Sequence, residues 1–369
     1  MAYEVKRITT GRLLNDFIKL PFLIYKNDPS WVAPMITEVK RVLDPNKNPY
    51  FKKASLELFN CYKDQRICSR IAIVINPMHQ KKIGEKNAFF GFFESLNDTD
   101  AVSYLFQEVE KYSKIHDVEL LEGPFNPTHY SELGLQLNKF GSVSSFFQTY
   151  NPPYYCHLLE DVGFQICKTI HTRKNENIQE YLKQNFKNVN QVEAHGFNIR
   201  SFRFNDLNTD LEHLRAVFND AFSDNWHFLP LSREEYLFSS KYLNLVTTPD
   251  LIQFVEYYGQ PVGAVHFVMD INPLLKKFKG RSSPWYYLKF QLQKKKIGKL
   301  IIFAVGIRKD FRHTKAFSLI SNIIAKIARN YQVLETTWTS YDNTAAIRAA
   351  KYFGLEADKE FGIYRKELN

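Results

Sequence analysis

Apolar and polar residues alternate along this chain in two hairpin-like stretches that echo one another. Phe59 to Ile75 reads as a short strand, a polar turn at Lys63-Asp64-Gln65, and a second strand carrying Ile67, Ile71, Ile73, Val74 and Ile75. Phe254 to Ile271 repeats the plan about 195 residues later, with its turn at Tyr258-Gly259-Gln260 and a strand from Val262 to Met269. A second echo has nearly the same offset: Asn151 precedes a helix-like stretch ending at Gly163-Phe164, and Asn343 one ending at Gly354-Leu355.

Between these markers each half carries a strand, an amphipathic helix and another strand. In the first half these are Phe89 to Phe93, the face Val102/Leu105/Phe106/Val109/Tyr112, and Val118 to Leu121. In the second they are Leu300 to Ile307, the face Phe317/Ile320/Ile324/Ile327, and Val333 to Trp338. Alternating strands and helices imply sheets with helices on their faces, an α/β class with mixed sheets, and two matching sets imply two similar domains. The expected division is 1–175, a polar linker at 176–194, and 195–369.

The halves differ in their insertions. A loop rich in Gly, Pro, Asn and Ser runs from Gly123 to Tyr150 in the first, and a basic, aromatic segment occupies 273–299 in the second. Long loops of this kind are more often functional than connective.

At 369 residues, with 44% hydrophobic and 24% charged, the chain can bury two cores, which excludes disordered, collagen-like and disulfide-stapled classes. The net charge of +10 suggests an anionic partner, but its placement changes the picture. Eleven of the 49 Lys and Arg fall between Ile271 and Lys309, where there is no Asp or Glu; the rest of the chain is close to neutral. Cys61, Cys68, Cys156 and Cys167 form no CxxC pair, so reduced thiols and a cytoplasmic location are expected. The N-terminus lacks the apolar stretch of a signal peptide, and no run reaches the ~18 apolar residues that span a bilayer. Contact with a membrane is therefore expected only at its surface, on the inner face.

The strand, helix, strand, then Asn343-Thr344-Ala345-Ala346-Ile347 running to Gly354-Leu355 resembles the end of a GNAT-superfamily acyltransferase domain. Leu20-Pro21, Asp28-Pro29-Ser30-Trp31-Val32, Gly123-Pro124-Phe125-Asn126, Asn151-Pro152-Pro153-Tyr154-Tyr155, Asp270-Ile271-Asn272 and Thr337-Trp338 resemble a narrower group. That group comprises two-domain bacterial GNAT proteins, including ceramide-synthase-like N-acyltransferases. The resemblance implies two tandem GNAT-like acyl-CoA N-acyltransferase domains and transfer from acyl-CoA to an amine, with that of a sphingoid-type lipid as the expected acceptor. The 31 Phe and 21 Tyr could line an acyl channel. Acylation of a soluble amine or peptide, or a non-catalytic GNAT-fold binding protein, stands as the alternative.

Departures from the family pattern bear on the site. The diphosphate loop of the family reads Arg/Gln-x-x-Gly-x-Gly/Ala, and the matching residues here are Arg312-His313-Thr314-Lys315-Ala316-Phe317, with Lys and Phe at the small positions. The family's general-acid Tyr falls on Ala350.

A CoA diphosphate would sit where free N–H groups and the dipole at a helix start favour an anion. Arg308, Arg312, His313, Lys315 and Asn343 are the expected contacts; a solvated basic turn is the other reading of that junction. The matching junction of the first half, Glu94 to Asp98, is acidic, so CoA is expected in the second half. An attacking amine must be neutral, so a base should reach it. Glu335 and His227 are the candidates, against readings as a strand-edge salt bridge and a packed polar histidine. Asn126, Tyr154, Tyr155, Trp226 and Trp338 are candidate substrate-channel residues, with loop capping and packing as the other reading.

The lysines and aromatics of 276–299 suit an anionic membrane surface, or equally a solvated basic loop. No zinc-finger, RNP or other nucleic-acid module occurs, and nucleic acid is not expected. Without HExxH or a Cys/His cluster, no metal is expected either.

Overall fold

Both hairpins expected from the alternation form in the computed structural model, which describes residues 2–128, 130–186 and 194–368. Strand β1 (Tyr3–Arg7) lies beside β2 (Ser55–Lys63), which turns into β3 (Arg66–Ile75) and is followed by β4 (Asn87–Ser95) and β5 (Leu120–Gly123). Short strands β6 (Phe125–Asn126), β7 (Glu132–Leu133) and β8 (Leu135–Gln136) occupy the Pro-rich loop, and β9 (Gln165–Asn175) follows it. The helices of this part are α1 (Gly11–Ile24), α2 (Ile36–Val42), α3 (Pro77–Ile83), α4 (Thr99–Ile115) and α5 (Tyr154–Asp161).

The second part has helix α6 (Ile178–Asn185), then β10 (Phe197–Ser201), α7 (Leu207–Ala221), α8 (Arg233–Ser239), α9 (Leu243–Val246), β11 (Ile252–Tyr257) and β12 (Gln260–Met269). Next come α10 (Asn272–Phe278), α11 (Pro284–Lys294), β13 (Lys299–Ile307), α12 (Ala316–Ala328), β14 (Val333–Thr336), β15 (Thr339–Ser340), α13 (Thr344–Tyr352) and β16 (Glu356–Glu367).

The sequence echo extends to backbone detail. Both hairpins close through two residues of positive φ, Asp64 (47°) and Gln65 (64°) in one, Tyr258 (45°) and Gly259 (79°) in the other, as a two-residue turn matched to strand twist requires. Both carry a register slip at the same sequence offset, after Cys61 and after Val255. In each half one crossover helix joins two parallel strands, β4-α4-β5 and β13-α12-β14, while the neighbouring pairs are antiparallel.

The described residues cluster into two compact units. One contains the chain up to Ile170, with Asn272–Phe290 and the residues from Lys359 onward; the other contains His171–Ile271 and Gln291–Asp358. In the first unit the strands run β1-β2-β3-β4-β5-β16, with Tyr364 opposite Gly123 and Glu367 opposite Leu120. Period-2 alternation puts Ile71 and Ile73 under Val102, Leu105, Phe106 and Val109 of α4, and Ala72 under Phe17 and Ile18 of α1, so helices cover both faces. In the second unit the order is β9-β14-β13-β12-β11-β10. Leu211, Leu214, Val217 and Phe218 of α7 pack on Phe254 and Ala264, while Ile320 of α12 lies against Gly263.

Three expectations are corrected. The segment expected as an insertion of the second domain packs with the first unit over 272–290: Asn272 donates to the Ser144 carbonyl at 2.7 Å, and the Ile36 N–H to the Gly280 carbonyl at 3.0 Å. The expected linker is helical over α6, whose Ile178 and Leu182 are fully buried in the second unit; residues 187–193 lie outside the described residues. Phe317 is exposed, and the buried face of α12 is Ala316, Leu319, Ile320, Ile323 and Ile324.

Each half of the sequence thus gives up a strand: β5 pairs with β16 from the second half, and β14 pairs with β9 from the first. A fragment ending at residue 186 therefore leaves the β5 edge unpaired. It is expected to aggregate, and to become soluble and cooperative in unfolding when co-expressed with residues 194–369. A monomeric 1–186 fragment that unfolds cooperatively alone would contradict this.

Candidate active site

Strands β13 and β14 pair in parallel from Lys299 opposite Val333 to Ile302 opposite Thr336, and then part. The Thr337 N–H still reaches the Ile302 carbonyl at 3.2 Å and its hydroxyl the Phe303 carbonyl at 3.1 Å, but from Ala304 to Ile307 no described strand pairs with that edge. Opposite, on β12, the register slips between His266 and Phe267, so that Phe303 bulges. Residues 302–305 and 336–338 are only half-buried. The result is a strand edge with backbone donors and acceptors turned toward a gap, inside one unit.

The first unit has the same layout with the gap filled. Its β4 and β5 pair only from Asn87 opposite Leu120 to Phe89 opposite Glu122, and β4 bulges around Phe92, where φ is 50°. Residues following β5 close the edge: Asn126 Oδ1 accepts from the Phe92 N–H at 2.7 Å. The approach is so tight that a Cβ on Gly91 would lie 1.8 Å from the Phe125 carbonyl oxygen, and one on Gly123 2.2 Å from that of Phe90.

The two crossover helices differ in the same sense. Helix α4 is capped by its own chain: Asp98 accepts from the Ala101 N–H at 3.1 Å and from the Tyr3 hydroxyl at 2.8 Å, and pairs with Lys63 at 2.7 Å. Desolvation pushes the Asp98 carboxyl up, but Lys63, the Ala101 N–H and Tyr3 outweigh it and hold the pKa below the usual value. Helix α12 has no carboxylate at its start: the Thr314 hydroxyl accepts from the Ala316 N–H at 3.2 Å, no acidic residue lies in its first turn, and it begins beside the exposed residues Arg308, Arg312, His313 and Lys315. No residue from Arg308 to Phe317 has a positive φ, so Lys315 and Phe317 sit where the family has small residues without backbone strain.

The last turn of α7 and the loop after it are tied to this junction. The Lys309 N–H donates to Asp220 at 2.7 Å, its ammonium to Asp224 at 2.7 Å, and the Arg312 guanidinium to the Ala221 carbonyl at 2.8 Å. The same loop carries Trp226 and His227, whose rings lie 4.0 Å apart, and leads to α8, where Ser232 and Glu235 form the expected capping box. Lys309 and Arg312 are therefore braces of the junction, leaving Arg308, His313 and Lys315 as its outward basic side chains.

The other candidates separate. Asn343 caps α13, accepting from the Ala346 N–H at 3.1 Å. Glu335 is 1% exposed and ion-paired with Lys299, which also lies 3.7 Å from Asp270. Trp338 is half-buried just past the parted strands. Asn126, Tyr154 and Tyr155 belong to the first unit: Tyr154 donates to the Ser95 carbonyl at 2.9 Å and Tyr155 to Glu94 at 2.7 Å. Glu94 also accepts from Tyr25 at 2.9 Å and faces Arg70 at 3.7 Å, and burial raises its pKa. In the sequence Tyr25 and Arg70 read as ordinary helix and strand residues, and Glu94 only as part of an acidic junction.

The sequence also gave no reason to choose His266, which reads as one more position in an apolar strand. It is 5% exposed, 5.0 Å from the Phe303 ring, and burial pushes its pKa down to about 3. Among the described residues no three His, Cys, Asp or Glu side chains gather as metal ligands, and no helix is long and apolar enough to cross a membrane.

No family model matches the chain. It is similar along its whole length to a protein named bacterial ceramide synthase from Caulobacter vibrioides, 25% identical, over 98% of this chain and 96% of that protein. It is also similar to the protein YghO of Escherichia coli, 22% identical, over 96% of this chain and 93% of that one. Among solved structures it resembles a tandem GNAT protein from the clavulanic acid biosynthesis pathway, with a TM-score of 0.56, 10% identity, and 100% and 99% of the two chains covered. The fold is that of a tandem GNAT protein.

Asp98→Ala tests the self-capping of α4. Stability at about pH 7 is expected to fall by about 1–2 kcal/mol. Because the folded pKa of Asp98 is depressed, its contribution is present above the unfolded value and fades as pH falls through the folded one, so parent and variant should converge in acid. Denaturant unfolding across pH measures this; a gap that stays constant into acid would contradict it.

Proposed function

We propose that the protein moves an acyl group from acyl-CoA to an amine, with acyl-CoA held by the second unit. The observation that carries this reading is the contrast between the two crossovers: one helix start bears its own carboxylate and a filled strand edge, the other bears exposed cations and an open edge. The diphosphate would lie at the start of α12, beside Arg308, His313 and Lys315. The amide-bearing arm would run along β13, taking the hydrogen bonds that β14 relinquishes.

The amine nitrogen attacks the thioester carbonyl carbon, the C–N bond forms, the C–S bond breaks, and CoA leaves as a thiolate that takes up a proton. His227, on the loop braced by Lys309 and Arg312, is the group proposed to receive the proton lost by the amine. Glu335, spoken for by Lys299, is assigned to holding the start of β13 instead.

The similarity to the Caulobacter protein supports a sphingoid-type amine as acceptor. Purified protein with long-chain acyl-CoA and sphinganine is expected to release free CoA. Replacing Arg308, His313 and Lys315 together by Ala should raise KM for acyl-CoA about tenfold or more, with kcat little changed, as loss of charge-assisted contacts to substrate predicts. Release only with soluble amines would move the assignment to that class, and no release with any amine would end it.

A membrane surface suits the same acceptor. Helix α11 exposes Trp285, Tyr287 and Leu288 in the first unit, with Lys289 over the Trp285 ring, and the exposed Lys295 and Lys296 follow its end in the sequence. Lys294 is not part of this surface: its ammonium donates to the Asn244 and Thr247 carbonyls at 2.7 and 3.1 Å, and burial lowers its pKa. Flotation with vesicles containing anionic lipid is expected to carry the protein up, and changing Lys289, Lys295 and Lys296 to Glu should abolish this. Equal flotation of the variant would count against the surface.

A further inference from the structure

His266 is buried in the second unit, and neither of its ring nitrogens meets a protein hydrogen-bond partner. Such a group costs stability unless something compensates it. Both ring nitrogens are therefore available to a group that arrives from outside.

Its position says which partner. His266 stands directly opposite Ala304 of β13, at the residue where the β12–β13 register slips and Phe303 bulges. Cross-strand neighbours of this kind hold their side chains on one face within contact distance. Ala304 is small and half-buried, so the face beside the imidazole is not filled by a bulky opposing residue. From the start of α12, an extended arm running back along the unpaired edge from Ile307 to Phe303 covers about 13 Å and brings its end to this bulge.

We propose that His266 donates a ring N–H to the carbonyl oxygen of the acyl thioester, stabilising the negative charge that forms there when the amine attacks. This rests on the acyl-transfer reading above. The neutral imidazole suits a donor rather than a base: it offers its proton as a hydrogen bond and does not exchange it. The ionisable groups on flanking elements are engaged elsewhere, Glu256 and Asp210 with Arg200, His213 with Arg200 and Asp210, and Asp270 with Lys299. Burial alone sets its protonation.

His266→Phe, which places an apolar ring where no protein partner is lost, is expected to keep or raise Tm and to keep acyl-CoA affinity, yet lower kcat about 100-fold. His266→Asn, which retains an N–H donor, should recover part of that loss. Difference infrared spectroscopy of acyl-CoA labelled with 13C at the carbonyl, bound without amine, should show the C=O band at lower frequency in the parent than in His266→Phe. A purely structural histidine would not move that band. The same band position and kcat in both proteins overturns the inference and leaves the acyl-transfer reading standing, whereas failure of the parent to bind any acyl-CoA overturns both.

Discussion

Where two parallel strands diverge, each leaves a row of backbone N–H and C=O groups that must find partners or face water. Both halves of this chain contain such a divergence, after Phe89 and Glu122 in one and after Ile302 and Thr336 in the other. Much of what distinguishes the units follows from how that single requirement is met. In the first, Gly91 and Gly123 let the residues after β5 come close enough for Asn126 to close the row. In the second, the row stays open beside a helix start with no acidic residue in its first turn. The two units share a frame, and one of them uses it for internal pairing.

The polar cluster of the first unit fits this division. Glu94 is saturated by Tyr25, Tyr155 and Arg70, and Tyr150 donates to Asp28 at 2.6 Å, so residues of the narrower family resemblance serve to fix the end of β4. Trp31 stacks on Tyr25 at 4.9 Å in the same cluster. A network of buried hydroxyls and charges gathered on one carboxylate specifies one arrangement and resists remodelling. In the second unit His266, beside the bulge of β13, has no hydrogen-bond partner on either ring nitrogen.

Much of the frame was legible from sequence, because period-2 alternation, two-residue turns and helix faces are local signals. The turns at Asp64-Gln65 and Tyr258-Gly259, the capping box at Ser232 and Glu235, and the contrast between the acidic and basic junctions could all be seen there. Pairing between distant residues could not. The Glu335–Lys299 ion pair, the use of Lys294 on backbone carbonyls, and the packing of 272–290 with residues 29–36 and 144 depend on contacts that leave no local pattern. His266 was hidden for the opposite reason: its neighbours are all apolar, and one polar residue in a buried strand carries no periodic signature.

The placement of β16 sets a timetable. Strand β5 is made early, but its partner ends at Glu367, so the sheet of the first unit cannot be completed until almost all of the sequence shown has left the ribosome. Through that interval an apolar strand edge waits for its own chain, exposed to pairing with any other nascent strand. The interval between making β5 and making β16 is thus a property of the order of the chain, invisible in the finished sheet.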